Sequence, residues 1–171
     1  MAALKSMLGP ENETSLKSAE TLVRRFCGWH IAPNLEQTII PRPAEGGVLY
    51  LPTMAMTELV GITVDGHPLG ADELADVWWD SSGMLERPGG WPRRPRAVVV
   101  TIRHGFDMDE VGDVAELIRN TSERNDVVKN GLQRVQVGNR ASSFAHEAGR
   151  MHLTPSQKDL LAPYVLGRGV R

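Results

Sequence analysis

The stretch Val77–Asp107, VWWDSSGMLERPGGWPRRPRAVVVTIRHGFD, sets the tightest limits on what this chain can fold into. Asp80-Ser81-Ser82-Gly83 and Pro88-Gly89-Gly90 are turn clusters, because glycine supplies positive φ while Asp and Ser side chains bond to nearby backbone. Between the second cluster and Gly105 runs Ala97-Val98-Val99-Val100-Thr101-Ile102, a β-branched segment that predicts a buried strand. Aromatic pair, turn, Gly-Gly-Trp, basic residues, strand and His-Gly-Phe-Asp together describe a scaffold with shaped loops. They do not describe a pocket for chemistry.

The chain has 171 residues, enough for one domain with a proper core, whereas two full domains would be crowded. Hydrophobic residues at 41% and charged residues at 23% place it among globular proteins. The net charge of −2 argues against a dedicated DNA-binding domain, whose footprint is strongly basic. With Cys27 as its one cysteine, no intramolecular disulfide is expected and a reducing compartment is. No apolar run approaches the ~18 residues of a membrane span, and MAALKSMLGPE lacks the pattern of a signal peptide. The expectation is a soluble protein made in the cytoplasm.

Helical spacing of Leu16, Ala19, Leu22, Val23 and Phe26 predicts a first helix over about 14–27, capped by Thr14 or Ser15 and stopped at Gly28. The period then changes to that of strands at Leu35–Ile40, Val48–Leu51 and Glu58–Val64, with Asp65-Gly66 as a hairpin turn. Trp78-Trp79, Met84–Arg87 and Ala97–Arg103 are expected to complete one small, mainly antiparallel sheet. A second helix is predicted from about Met108 to Glu123, with Val111, Val114, Ala115 and Ile118 on one face and acidic residues in its first turn. Asn125–Arg150 is polar and carries one strand signal at Leu132–Val137, so a long arm or mobile loop is expected there. Thr154-Pro155-Ser156-Gln157 starts a last short helix with a capping box and a proline in the first helical position. The organisation predicted is a core of helix plus small sheet over 1–124, an arm over 125–152, and a terminal helix with tail over 153–171.

No reaction centre emerges from the titratable residues. Cys27 and His30 have the spacing of half a zinc site, but a structural zinc needs four ligands and no second pair exists. They read as a buried thiol beside a structural histidine. His104 could serve as a general base, yet no nucleophile is placed near it by any motif; a strand-end histidine bonded to backbone is the expectation. Asp107, Asp109, Glu110 and Asp113 match a calcium loop poorly and suit a helix N-terminus better. No enzyme, metal or cofactor is therefore expected. Arg87, Arg93, Arg94 and Arg96 around Trp91 form the one patch suited to nucleic acid, through phosphate contacts and base stacking. A solvated hairpin loop held by Pro92 and Pro95 is the plain alternative.

Three local patterns occur in order. They are Arg25-Phe26-Cys27-Gly28-Trp29-His30-Ile31-Ala32-Pro33, then Ile62-Thr63-Val64-Asp65-Gly66, then Trp79-Asp80 through Gly89-Gly90-Trp91-Pro92 to Val100-Thr101-Ile102-Arg103-His104-Gly105-Phe106. With Leu153-Thr154-Pro155-Ser156-Gln157-Lys158-Asp159-Leu160-Leu161-Ala162-Pro163-Tyr164, this ordered set resembles the head-to-tail connector (head completion, or adaptor) proteins of long-tailed bacteriophages of actinobacteria. The resemblance covers Leu16 to Tyr164. It implies an α+β fold: a small helical bundle with an inserted antiparallel β-hairpin region and an extended C-terminal arm. It also implies a virion protein that forms a ring, usually a dodecamer, between the portal protein and a downstream stopper or tail-terminator protein, with packaged DNA passing through and no membrane involved. The chain departs from these relatives before Leu16 and over Asn125–Arg150, so no arm contact carries over there.

Two sets of residues follow as candidates. Leu161, Tyr164, Val165 and Leu166 are expected to anchor the chain to the portal, with Arg168 and Arg171 on acidic rim residues; the alternative is a tail folded back on its own subunit. Arg87, Trp91, Arg93, Arg94 and Arg96 are candidates for DNA-channel or inter-subunit contact. A small nucleic-acid-binding module using that loop is the second functional reading.

Overall fold

Proline at the first turn and a run of good helix formers open the chain's first helix, α1, at Pro10–Cys27 in the computed structural model. It therefore begins four residues before the predicted cap, and Thr14 and Ser15 lie inside it; Ser18 and Thr21 hydroxyls bond back to the Thr14 and Lys17 carbonyls. The structure describes residues 10–42, 47–129, 134–137, 140–143 and 151–167. These fall into two compact units, one of residues up to Phe26 with Gly112–Ala162, the other of Cys27–Val111 with the residues from Pro163 onward.

The first unit holds α1, then α3 at Gly112–Lys129, a hairpin of β8 (Arg134–Val137) with β9 (Arg140–Ser143), and α4 at Pro155–Leu161. Helix α1 buries Ser15, Ala19 and Val23, a stripe at i, i+4 and i+8. Helix α3 buries Val114, Leu117, Thr121 and Ser122, while Ala115, expected on the inner face, is exposed. The acidic residues 107–110 precede this helix and form a turn in which Asp107 N–H donates to Glu110 Oε2. The capping box of α4 forms as predicted: Gln157 N–H donates to Thr154 Oγ1 and Thr154 N–H to Gln157 Oε1. Gln157 Nε2 also reaches Thr121 Oγ1 at 2.8 Å, tying α4 to α3. The predicted arm is shorter than expected at its start, because residues 125–129 continue helix α3; its strand signal at Leu132–Val137 is present as β8, paired with β9, and 130–133, 138–139 and 144–150 lie outside the described residues.

The second unit is built on two antiparallel sheets rather than the single one expected. Strands β1 (Leu35–Ile39), β3 (Met56–Val64), β4 (His67–Pro68) and β7 (Val98–His104) form a four-stranded sheet in the order β1-β7-β3-β4. Strands β2 (Val48–Tyr50), β5 (Trp78–Trp79) and β6 (Met84–Glu86) form a three-stranded sheet in the order β2-β6-β5. Alternation along β7 buries Val98, Val100, Ile102 and His104. Those valines and isoleucine join Leu49, Leu51, Ile62, Val77, Leu85 and Trp91 in one core between the sheets. The Asp65-Gly66 turn has φ of 53° and 85°, the left-handed pair that a type I′ hairpin needs. A five-residue helix, α2 at Ala71–Ala75, was not anticipated; it buries nothing and starts where Gly70 N–H donates to Glu73 Oε2.

Mixed helix and antiparallel sheet agrees with the α+β class. Among the described residues no helix is long and apolar enough to cross a membrane.

Candidate functional site

Residues 28–34 leave α1 by a route that short-range preferences disfavour. Ile31, a β-branched residue, takes φ of +64°, and such a conformation persists only where its surroundings over-determine it. The surroundings are residues 104–106. Phe106 N–H donates to Ile31 O and Gly105 N–H to Ala55 O, each at 2.8 Å. Gly105 sits at φ +107°, and a Cβ there would lie 2.5 Å from Pro33 O and 2.6 Å from His30 Nε2. Only glycine allows so close an approach.

Five aromatic rings gather around this crossing. Trp29 stacks on His104 at 6.4 Å between centroids and meets Phe106 at 5.9 Å. His30 and His104 stand edge to face at 4.4 Å, and Phe106 meets Tyr164 edge-on at 5.8 Å. The tail closes the cluster, since Trp29 Nε1 donates to Tyr164 O at 2.8 Å and Leu166 N–H to Cys27 O at 2.9 Å.

His104 is 1% exposed, and its Nε2 lies 2.9 Å from Gln37 Oε1, so the ring donates from Nε2 to a side chain, not to backbone. Burial, and secondarily the neighbouring His30, lower its pKa from 6.5 to about 4. A buried imidazole that stays neutral and weakly basic is fitted to packing. Cys27 is a buried free thiol, as the sequence indicated. Among the described residues no group of three or more His, Cys, Asp or Glu could hold a metal.

The basic loop is more tightly built than its composition suggests. Trp91 is 7% exposed and its indole N–H donates to Leu85 O, so the ring belongs to the core and no face is free to stack a base. Arg87 lies over that ring at 4.9 Å and donates from Nε to Gly90 O, a cation–π contact that pins the loop. Arg94 is ion-paired with Asp65. Arg93 and Arg96 remain, both exposed, with Arg96 held at φ +62°.

The proposed anchor residues are placed differently from expectation. Leu161 is fully buried in the first unit and Leu166 is 3% exposed in the second, so each serves its own subunit's packing. Tyr164 and Val165 are half-buried, and Arg168 and Arg171 lie outside the described residues. The tail thus folds back over Pro163–Gly167 instead of presenting free apolar groups. Sequence reasoning missed the partners Gln37 and Tyr164, which lie 67 and 135 residues from His104 and Trp29 along the chain. No family model matches the chain, and no curated protein matches it.

Proposed function

We propose that this chain is a structural ring component of the head–tail junction of a long-tailed phage, seated between portal and tail, extending the DNA channel and offering a docking surface below. The observation that carries this reading is the convergence of the resembling patterns. Trp29 and His30 come from the first, His104 and Phe106 from the third, and Tyr164 from the C-terminal one, and all meet in one aromatic cluster around the buried Trp29 and His104. Motifs that share a core describe a scaffold, and the likeness to connector proteins then concerns architecture. The helical bundle implied by the likeness would be built from α1, α3 and α4, which fall in one unit, with the two-sheet unit inserted between α1 and α3.

Portal attachment through Tyr164 and Val165 would use the part of each side chain left exposed beside Trp29. Co-expression with the cognate portal followed by sedimentation and negative-stain imaging tests the reading. A ring stacked on the portal vertex is expected; a chain that never co-sediments with portal refutes the role.

The nucleic-acid reading retains one supporting observation, the two exposed arginines Arg93 and Arg96 on a rigid loop. Two phosphate contacts without a stacking ring support only weak, sequence-independent binding.

A further inference from the structure

The three-stranded sheet has one face in the core and one turned away from it. Opposite residues share a face, so Leu49 and Leu85 face the core on the same side as the partly exposed edge residue Trp79, and Val48, Glu86 and Trp78 lie on the other face with Tyr50 and Met84. Trp78 is 78% exposed and Tyr50 is 50% exposed. Two large aromatic rings on the solvent side of a three-stranded sheet are the kind of residue that anchors protein interfaces.

Glu86 lies on that face, and the chain leading into it is acidic. Residues 71–86 contain Asp72, Glu73, Asp76, Asp80 and Glu86 and no basic residue. All five are exposed, and none is ion-paired among the described residues. Residues 87–106 reverse the pattern, with Arg87, Arg93, Arg94, Arg96 and Arg103 and no acidic residue. Arg87 is spent on Trp91, Arg94 on Asp65, and Arg103 on Glu36 and Glu58, which leaves Arg93 and Arg96. They sit on a loop stiffened by Pro92 and Pro95, so little entropy is lost on docking.

We propose that the acidic aromatic face of one subunit receives the Arg93–Arg96 loop of a second copy of this chain. Guanidinium groups stack on indole and phenol rings and pair with carboxylates at the same time, a combination that lysine cannot reproduce. The contact joins two different patches of the same unit, so it is head-to-tail, and repetition closes into a ring when the rotation allows. The inference rests on the connector reading only for that closure; the pairing itself is a property of the isolated chain.

Sedimentation velocity of the full chain, at concentrations up to about 1 mM where weak contacts populate, tests it. Wild type should self-associate more strongly at low salt than at high salt. W78A, the pair R93E and R96E, and the pair D76R and E86R should each weaken association by roughly tenfold or more, with far-UV circular dichroism and the thermal midpoint unchanged because none of these side chains is buried. Combining both charge-reversed pairs in one chain should restore association toward the wild-type value. A monomeric wild type overturns the proposal. So does association that W78A weakens and the arginine reversals do not, since the face would then hold a different surface. Lack of rescue in the combined variant overturns it as well. Rings that still form on the portal with these variants would remove this interface and leave the connector reading standing; self-association without portal rings would do the reverse.

Discussion

Replacing His104 with phenylalanine should flatten the acid limb of this protein's stability curve. In the folded state His104 binds a proton only near pH 4, whereas the unfolded chain binds one near pH 6.5. Between those values the unfolded state holds more protons, so stability falls as pH drops through the window and is constant above about pH 7 on this account. At about 1.36 kcal/mol per pH unit, the loss reaches on the order of 3 kcal/mol by pH 4. That is a large share of a total stability of roughly 5–15 kcal/mol. In H104F the ring keeps the place between Trp29 and His30, and the group lost to Gln37 matters little because Gln37 is exposed. Urea unfolding followed by tryptophan fluorescence at pH 7, 6, 5 and 4 gives both curves. The wild-type midpoint should fall steadily below pH 6.5 and that of H104F should fall much less. Parallel curves would refute the reasoning and place the acid sensitivity elsewhere.

Three further outcomes follow from contacts already described. G105A should cost about 2–4 kcal/mol, since its φ of +107° and a Cβ 2.5 Å from Pro33 O leave no relaxed position; thermal unfolding at neutral pH reads this directly. Removing Pro163–Arg171 should destabilise the subunit by about 3–5 kcal/mol, because the buried Leu166 and the acceptor of the Trp29 indole both disappear; urea unfolding at neutral pH measures the loss. Fluorescence anisotropy with duplex DNA should show weak, salt-sensitive binding without sequence preference that is lost when Arg93 and Arg96 become alanine; sub-micromolar affinity at physiological salt would favour the nucleic-acid module instead.

Local chemistry was largely legible. Strands β1, β2, β3, β6 and β7 fall within a few residues of their apolar alternation, and Asp65-Gly66 and the Thr154–Gln157 box do what their side chains dictate. What was missed had no short-range signal. Helix α2 is five residues long and buries nothing, so it left no periodicity to read. The first turn of α1 is polar around Pro10 and lacked an apolar stripe. The alternation predicts one sheet where the structure has two, because pairing order depends on contacts distant in sequence, as β7 lies between β1 and β3. Of the site candidates, Trp91 was misjudged for a physical reason: a tryptophan beside Gly-Gly and arginines fits a grip on nucleic acid, and only the third dimension turns its indole toward Leu85 O. The fold-back of Leu166 was weighed as an alternative and is where the residue sits.

The closing of the Trp29 cluster by Tyr164 and Leu166 has a consequence for the order in which the molecule can mature. Synthesis runs from the N-terminus, so both sheets of the second unit leave the ribosome long before the strand of tail that finishes them. Until residues 164–166 emerge, the Trp29 indole and the Cys27 carbonyl lack their partners. The unit of the two sheets, synthesised before α3 and α4, is therefore the last to be completed, and a nascent chain paused within α4 would carry a nearly complete pair of sheets with an open aromatic seam.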